Sequence, residues 1–163
     1  MFLGMRMKKM NLNKSDFIAG TLYRAKRNEN KSWITGWYLQ RYDAFDELQC
    51  EIFYAKNAHN WEFAPIITDT LCRFSGYKDA NEIQIWEHDI IEEPRRKLKG
   101  EVLFGLHGTE IGWYIRWLDQ EALTFRQDFG YWKDKIKVIE NCFDGIKKEG
   151  EKNGADKHTA GHN

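Results

Sequence analysis

The chain has 163 residues, and its 25 basic and 25 acidic side chains leave no net charge. That length is enough for one domain with its own core. The charge balance excludes a whole-protein field of the kind that draws a protein onto nucleic acid or an anionic membrane, so any such binding must come from a local patch. The balance is uneven along the chain: residues 1–31 hold eight Lys or Arg against Asp16 and Glu29, while residues 32–93 hold four against twelve Asp or Glu. This split suits two opposed faces that meet within a monomer or between copies.

The N-terminal MFLGMRMKKM lacks the apolar stretch and cleavage site of a signal peptide, and Met5, Met7 and Met10 are alternative starts to Met1. Residues 1–20 read as an N-terminal extension, partly disordered. Aromatic residues then recur in period-two alternation, the mark of strands with one buried face. Trp33–Gln40 is the first predicted strand, with Trp33 and Trp37 sharing a face expected to be core. Leu48, Cys50, Ile52 and Tyr54 alternate in the next, followed by Thr70–Phe74, Glu101–Leu106, Ile111–Trp117 and Ala122–Arg126. Gly, Asn, Asp and charged clusters bound each run. From Trp132 to Ile146 the pattern fits a strand or a short helix, because Trp132, Ile136, Ile139, Phe143 and Ile146 also fall on one helical face. From Gly145 the text is almost devoid of apolar side chains, and a disordered tail over 145–163 is expected. The result is a mainly β fold, a small barrel or sandwich, within a domain at 21–144.

Cys50, Cys72 and Cys142 are odd in number and never paired at C-x-x-C spacing, which argues for a reducing compartment and against a disulfide framework or zinc ribbon. Cys50 and Cys72 read as small core hydrophobes. With no apolar run long enough to span a bilayer, the protein is expected in the cytoplasm of whatever cell makes it, without membrane contact. Glu87, His88 and Asp89 open the densest polar cluster, which continues to Glu92 and Glu93. On a strand, however, Glu87 and Asp89 share a face that His88 does not, so the cluster reads as a solvated edge. A hydrolase built on Glu87, His88 and Asp89 is the weakest of three functional readings. No nucleophile elbow, phosphate loop or metal-ligand spacing appears, and the expectation is a non-enzymatic protein with no cofactor and no metal. Two basic segments stand out as candidate nucleic-acid contacts: Arg24, Lys26, Arg27 and Lys31 interleave with Tyr23, Trp33 and Trp37, and Arg95, Arg96 and Lys97 form a second loop.

Four blocks in order resemble the YopX family of phage and prophage proteins. Thr70 to Ile91, T-L-C-R-F-S-G-Y-K-D-A-N-E-I-Q-I-W-E-H-D-I-I, is similar to the family signature at Ser75, Gly76, Lys78, Asp79, Asn81, Ile85, Trp86, Glu87, Asp89 and Ile90. Trp33–Gly36 resembles its opening strand, Gly100–Phe104 its G-x-V-x-F strand and Val138–Asp144 its closing strand. His88 and Glu140 stand where the family usually has glycine, which implies a local backbone that differs or is more ordinary here, and Glu140 favours the helical option. The resemblance implies SH3-like barrel character and an accessory protein of mobile elements without an assigned activity. It supplies no catalytic residues. The leading functional expectation is a protein-interaction or self-associating module, and the runner-up is a nucleic-acid-binding module that uses the two basic loops.

Overall fold

The computed structural model describes residues 21–145. The expected extension at 1–20, with its four basic residues, and the expected tail beyond Gly145 lie outside them. The described chain is mainly β, in two antiparallel sheets. The first contains β1 (Tyr23–Arg27), β2 (Trp33–Tyr42), β3 (Leu48–Ala55), β4 (Trp61–Lys78) and β5 (Gln84–Trp86). These pair in sequence order, and β1 also pairs with β4, so β1 to β4 close on themselves as a barrel. The second sheet runs β8-β7-β6-β9, from β6 (Asp89–Glu93), β7 (Leu98–His107), β8 (Glu110–Trp117) and β9 (Lys137–Asn141).

Closure depends on a bend in β4. While β1 advances from Arg24 to Lys26, its partner on β4 jumps from Cys72 to Ile67. Thr70, fully buried, repairs the interrupted ladder: its hydroxyl accepts from the Lys26 N–H at 2.8 Å and donates to the Ile67 carbonyl at 2.7 Å. A bulged strand bends and twists more strongly, and this lets β4 serve both the barrel and β5.

There are two cores, and Ile85 of β5 in the first sheet belongs to that of the second. Ala25, Ile34, Ile52, Ala64 and Ile66 fill the barrel. Ile91, Leu98, Val102, Ile115 and Trp117 line one face of the second sheet and pack under Ala122, Phe129 and Ile136. Strand Ala122–Arg126 does not form: a 3₁₀ turn at Gln120–Ala122 and helix α1 (Phe129–Trp132) carry the chain across that core face instead. The apolar residues of this stretch are spent on capping a sheet, for which no ladder partner is needed.

Of the ambiguous segment from Trp132, only Trp132 itself belongs to α1 and Lys137–Asn141 forms β9, so Glu140 is an exposed strand residue and the helical option there is corrected. Trp33 and Trp37 do share a face, but it is the outer one. Ile34 and Gly36 face the barrel interior, Trp33 lies half-buried beneath Arg24 and Lys26, and Trp37 packs with Phe53 and Trp61. Of the two expected core cysteines, Cys72 is fully buried and Cys50 is half-buried against the barrel core.

The inward position of Gly36 has a sharp steric reason. A β-carbon there would lie 2.2 Å from the Phe53 carbonyl oxygen and 2.8 Å from Ile52 Cγ2, whereas one at Gly105 would meet nothing within 4 Å. Gly36→Ala is therefore expected to cost about 1–3 kcal/mol through overpacking, read as a lower urea midpoint, while Gly105→Ala leaves the midpoint close to its starting value.

Candidate nucleic-acid interface

Each basic residue singled out in the sequence has a definite place. Arg24, on β1, inserts its guanidinium between the Trp33 and Trp86 rings and pairs with Asp89 of β6. Lys26 is buried, its ammonium 4.6 Å from the centre of the Trp33 ring. Arg27 lies over Tyr54 and near Glu29, and the Lys31 ammonium donates to the Asn28 carbonyl. Arg27 also lines a groove with Tyr54, Lys56 and Glu62, in which acid and base alternate. The second loop is different: Arg95, Arg96 and Lys97 are all exposed at the β6–β7 turn.

That turn is shaped by Glu93, whose buried carboxylate accepts from the Arg95 and Arg96 N–H groups at 3.1 and 2.8 Å. Lys97 takes up a left-handed backbone conformation and pairs with Glu92. The turn forms one wall of a groove of about 640 Å³ whose other wall is the stretch after the 3₁₀ turn, with Phe125, Arg126, Tyr131, Trp132 and Lys135. The two basic loops thus line separate grooves.

Rings and cations touch one another in the 640 Å³ groove, which Glu93 and Asp134 also line. Phe125 and Trp132 stack at 5.6 Å with only 14° between their planes, and the Arg96 guanidinium lies 5.0 Å from the Phe125 ring centre. Tyr131 carries Lys135 at 3.2 Å and Arg126 at 4.5 Å. Trp132 of the wall and Trp117 of the core beneath it both donate to the Arg126 carbonyl, which fixes the ring orientations. The acids nearby are already engaged: Glu93 holds the turn, Asp128 pairs with Arg126 and Asp134 with Lys133. Sequence reasoning identified Arg95 and Arg96 but not Phe125, Arg126, Tyr131, Trp132 and Lys135, since Ala122–Arg126 reads as a strand and the segment from Trp132 as strand or short helix.

The cluster Glu87-His88-Asp89 is dispersed. Glu87 Oε2 accepts from the Arg73 N–H, and His88 Nδ1 sits 2.8 Å from the Glu101 carboxylate. Asp89 is fully buried and accepts from Arg24, from the Trp86 N–H at 2.8 Å and from Asn141 Nδ2 at 3.0 Å. Burial pushes the Asp89 carboxyl above the usual carboxylate range, although Arg24 and its other donors pull the other way. The three side chains therefore share no site. The glycine-for-histidine departure is also corrected: His88 has φ 64°, the left-handed conformation that favours glycine, so the backbone at this position is not ordinary.

The signature carboxylates are structural fasteners. Asp79 accepts from the Asn81, Ile83 and Val138 N–H groups and so ties the β4–β5 turn to β9. At the far end of β9, Asp144 accepts from the Asn141 N–H and the Trp33 indole. Burial pushes Asp144 up, but these donors with Lys26 and Arg24 outweigh it and hold the carboxyl below its ordinary value. Burial, then the Glu101, Asp89 and Asp144 charges, push the exposed Cys142 thiol up to about 11. It is thus protonated and a weak nucleophile near neutral pH.

No helix among the described residues is long and apolar enough to cross a membrane. No curated protein matches this chain. The YopX protein family matches residues 22–145, a span that contains both sheets, the groove and the Asp79 and Asp89 fasteners. On that match, the chain belongs to the YopX protein family.

Proposed function

We propose that this chain is a non-catalytic binding module that holds single-stranded nucleic acid in the groove between the β6–β7 turn and the Phe125–Lys135 stretch. The observation that carries the reading is the gathering of Arg96, Arg126 and Lys135 against the rings of Phe125 and Tyr131, beside Trp132, in one groove. Cations that turn from the rings they now cover to neutralise phosphates free those aromatic faces for bases of any sequence, worth about 1–3 kcal/mol per stacked base. Arg95 also lines this groove. The setting we infer is that of a phage or prophage accessory protein in the bacterial cytoplasm. It is supported by the family membership and by three cysteines that are all free. The closed β1–β4 ring supports reading the first sheet as a small SH3-like barrel.

The test is a fluorescence anisotropy titration of labelled single-stranded and duplex oligonucleotides, and of an acidic peptide, at low and moderate salt. Salt-sensitive binding that prefers the single strand is expected. Binding of the acidic peptide alone would transfer the groove to a protein ligand and end the nucleic-acid reading.

A second reading, contact with a protein partner or another copy, is favoured by the β2–β3 hairpin. There Phe45 is 85% exposed and Tyr42 70%, beside the half-exposed Leu48. Light scattering coupled to size exclusion tests it: a stable dimer lost in Phe45→Ser supports the reading, and a monomer at high concentration counts against self-association.

A further inference from the structure

We propose that His88, Glu101 and Cys142 form a binding site for a divalent metal ion of the zinc class, separate from the basic groove. One ligand atom from each residue lies within 4.8 Å of the others. Ligands in a tetrahedral zinc shell stand roughly 3.5 Å apart, given bonds of about 2.0–2.3 Å. Closing the set therefore takes side-chain movements of about an ångström.

The backbone already holds the three segments together. The His88 N–H donates to the Val102 carbonyl at 2.7 Å, beside Glu101, and the Cys142 N–H donates to the His88 carbonyl at 3.0 Å. These bonds join the turn before β6, the strand β7 and the turn after β9, so the three donors converge although they lie far apart in the sequence. Preorganisation of this kind lowers the entropy lost when an ion binds.

His88 itself gives a second reason. Its φ of 64° is a conformation that costs a residue with a β-carbon about 1–2 kcal/mol relative to ordinary backbone. Lys31, Asp46, Glu82 and Lys97 share this conformation, but of the five His88 brings an imidazole, with Nδ1 aimed at a carboxylate 2.8 Å away, to a cluster of metal-binding donors. The mixture of thiolate sulfur, imidazole nitrogen and carboxylate oxygen is the chemistry of zinc, with a fourth position left for water. Binding releases the Cys142 proton to solvent and places Zn²⁺ where the His88–Glu101 contact now stands.

Glu101 has a competing partner. Its second oxygen is paired with Arg116, which is directly opposite on β8 and largely exposed, so the guanidinium can swing into water when an ion arrives. Arg116 is therefore a brake on metal binding, and its removal should tighten the site.

Cobalt(II) titration of the purified full chain under reducing conditions reads the site directly, because a thiolate-to-cobalt charge-transfer band reports cysteine ligation and ignores the histidines of the tail. The expected result is a saturable band, absent in C142S and weakened more than about tenfold in H88G. Zinc should compete the band away, and the band should tighten in R116Q. H88G relieves the backbone strain and is expected to fold, so loss of binding there is not loss of structure. A chain without the band at saturating cobalt, or one whose band persists in C142S, overturns the proposal.

Discussion

Replacing Arg24 with methionine is expected to lower stability by about 3–5 kcal/mol at neutral pH, the penalty for leaving a buried charge without its partner. Asp89 is fully buried, and among its donors Arg24 alone brings positive charge. The pair also bridges the two sheets, from β1 to β6, and the guanidinium is held between two indoles at 4.7 and 5.1 Å. The pH dependence has a definite sign. Burial raises the folded-state value of the Asp89 carboxyl, and removing Arg24 raises it further. A carboxyl that holds its proton more tightly when folded contributes full stability only below its unfolded value of about 3.9, and loses it as pH rises through the folded value. The R24M deficit should therefore be largest near neutral pH and shrink on acidification, while R24M/D89N recovers part of it. Urea unfolding across that pH range measures both. A deficit below about 1 kcal/mol at neutral pH would mean that the pair behaves as a surface ion pair, and would remove it as the fastener between sheets.

The second large effect lies in the groove. Arg95→Ala, Arg96→Ala and Lys135→Ala combined should reduce the slope of log affinity against log salt by about 2, at roughly 0.7 for each phosphate contact removed from a single strand. Tyr131→Ala should cost a further 1–3 kcal/mol or so of binding energy through lost stacking. All four side chains are exposed, so the unfolding midpoint should move little. Equal slopes for the parent and the triple variant would show that these cations touch no phosphate.

The strands were legible by alternation: Leu48–Tyr54 and Ile111–Trp117 fold as β3 and β8, although Glu51 and Phe53 on the second face of β3 are buried and Leu48 and Ile111 at the strand ends are exposed. The first half of β4 was not, because Pro65 interrupts its pattern, although Pro65 pairs with Glu51 and its carbonyl accepts from Asn28. Trp33 misled because aromatic size suggests burial, whereas two cations cover this ring on the outer side of the barrel. Ala122–Arg126 misled because its apolar residues face a sheet as a lid, which requires no ladder. The groove was half visible: charge drew notice to Arg95 and Arg96, but their aromatic wall lies some thirty residues further on and meets them only through the fold. The His88, Glu101 and Cys142 cluster had no signal in spacing, since its members come from three segments joined by backbone hydrogen bonds.

Single-stranded nucleic acid held between the β6–β7 turn and the Phe125–Lys135 stretch would lie against the rings of Phe125, Tyr131 and Trp132. The most direct measurement is photo-crosslinking of a 4-thiouridine-containing single-stranded RNA to the full chain, with the adducts mapped by mass spectrometry. Adducts concentrated on Phe125, Tyr131 and Trp132, and lost at raised salt, are the predicted result. Adducts confined to Arg24–Lys31, or an absence of adducts at low salt, would contradict the claim.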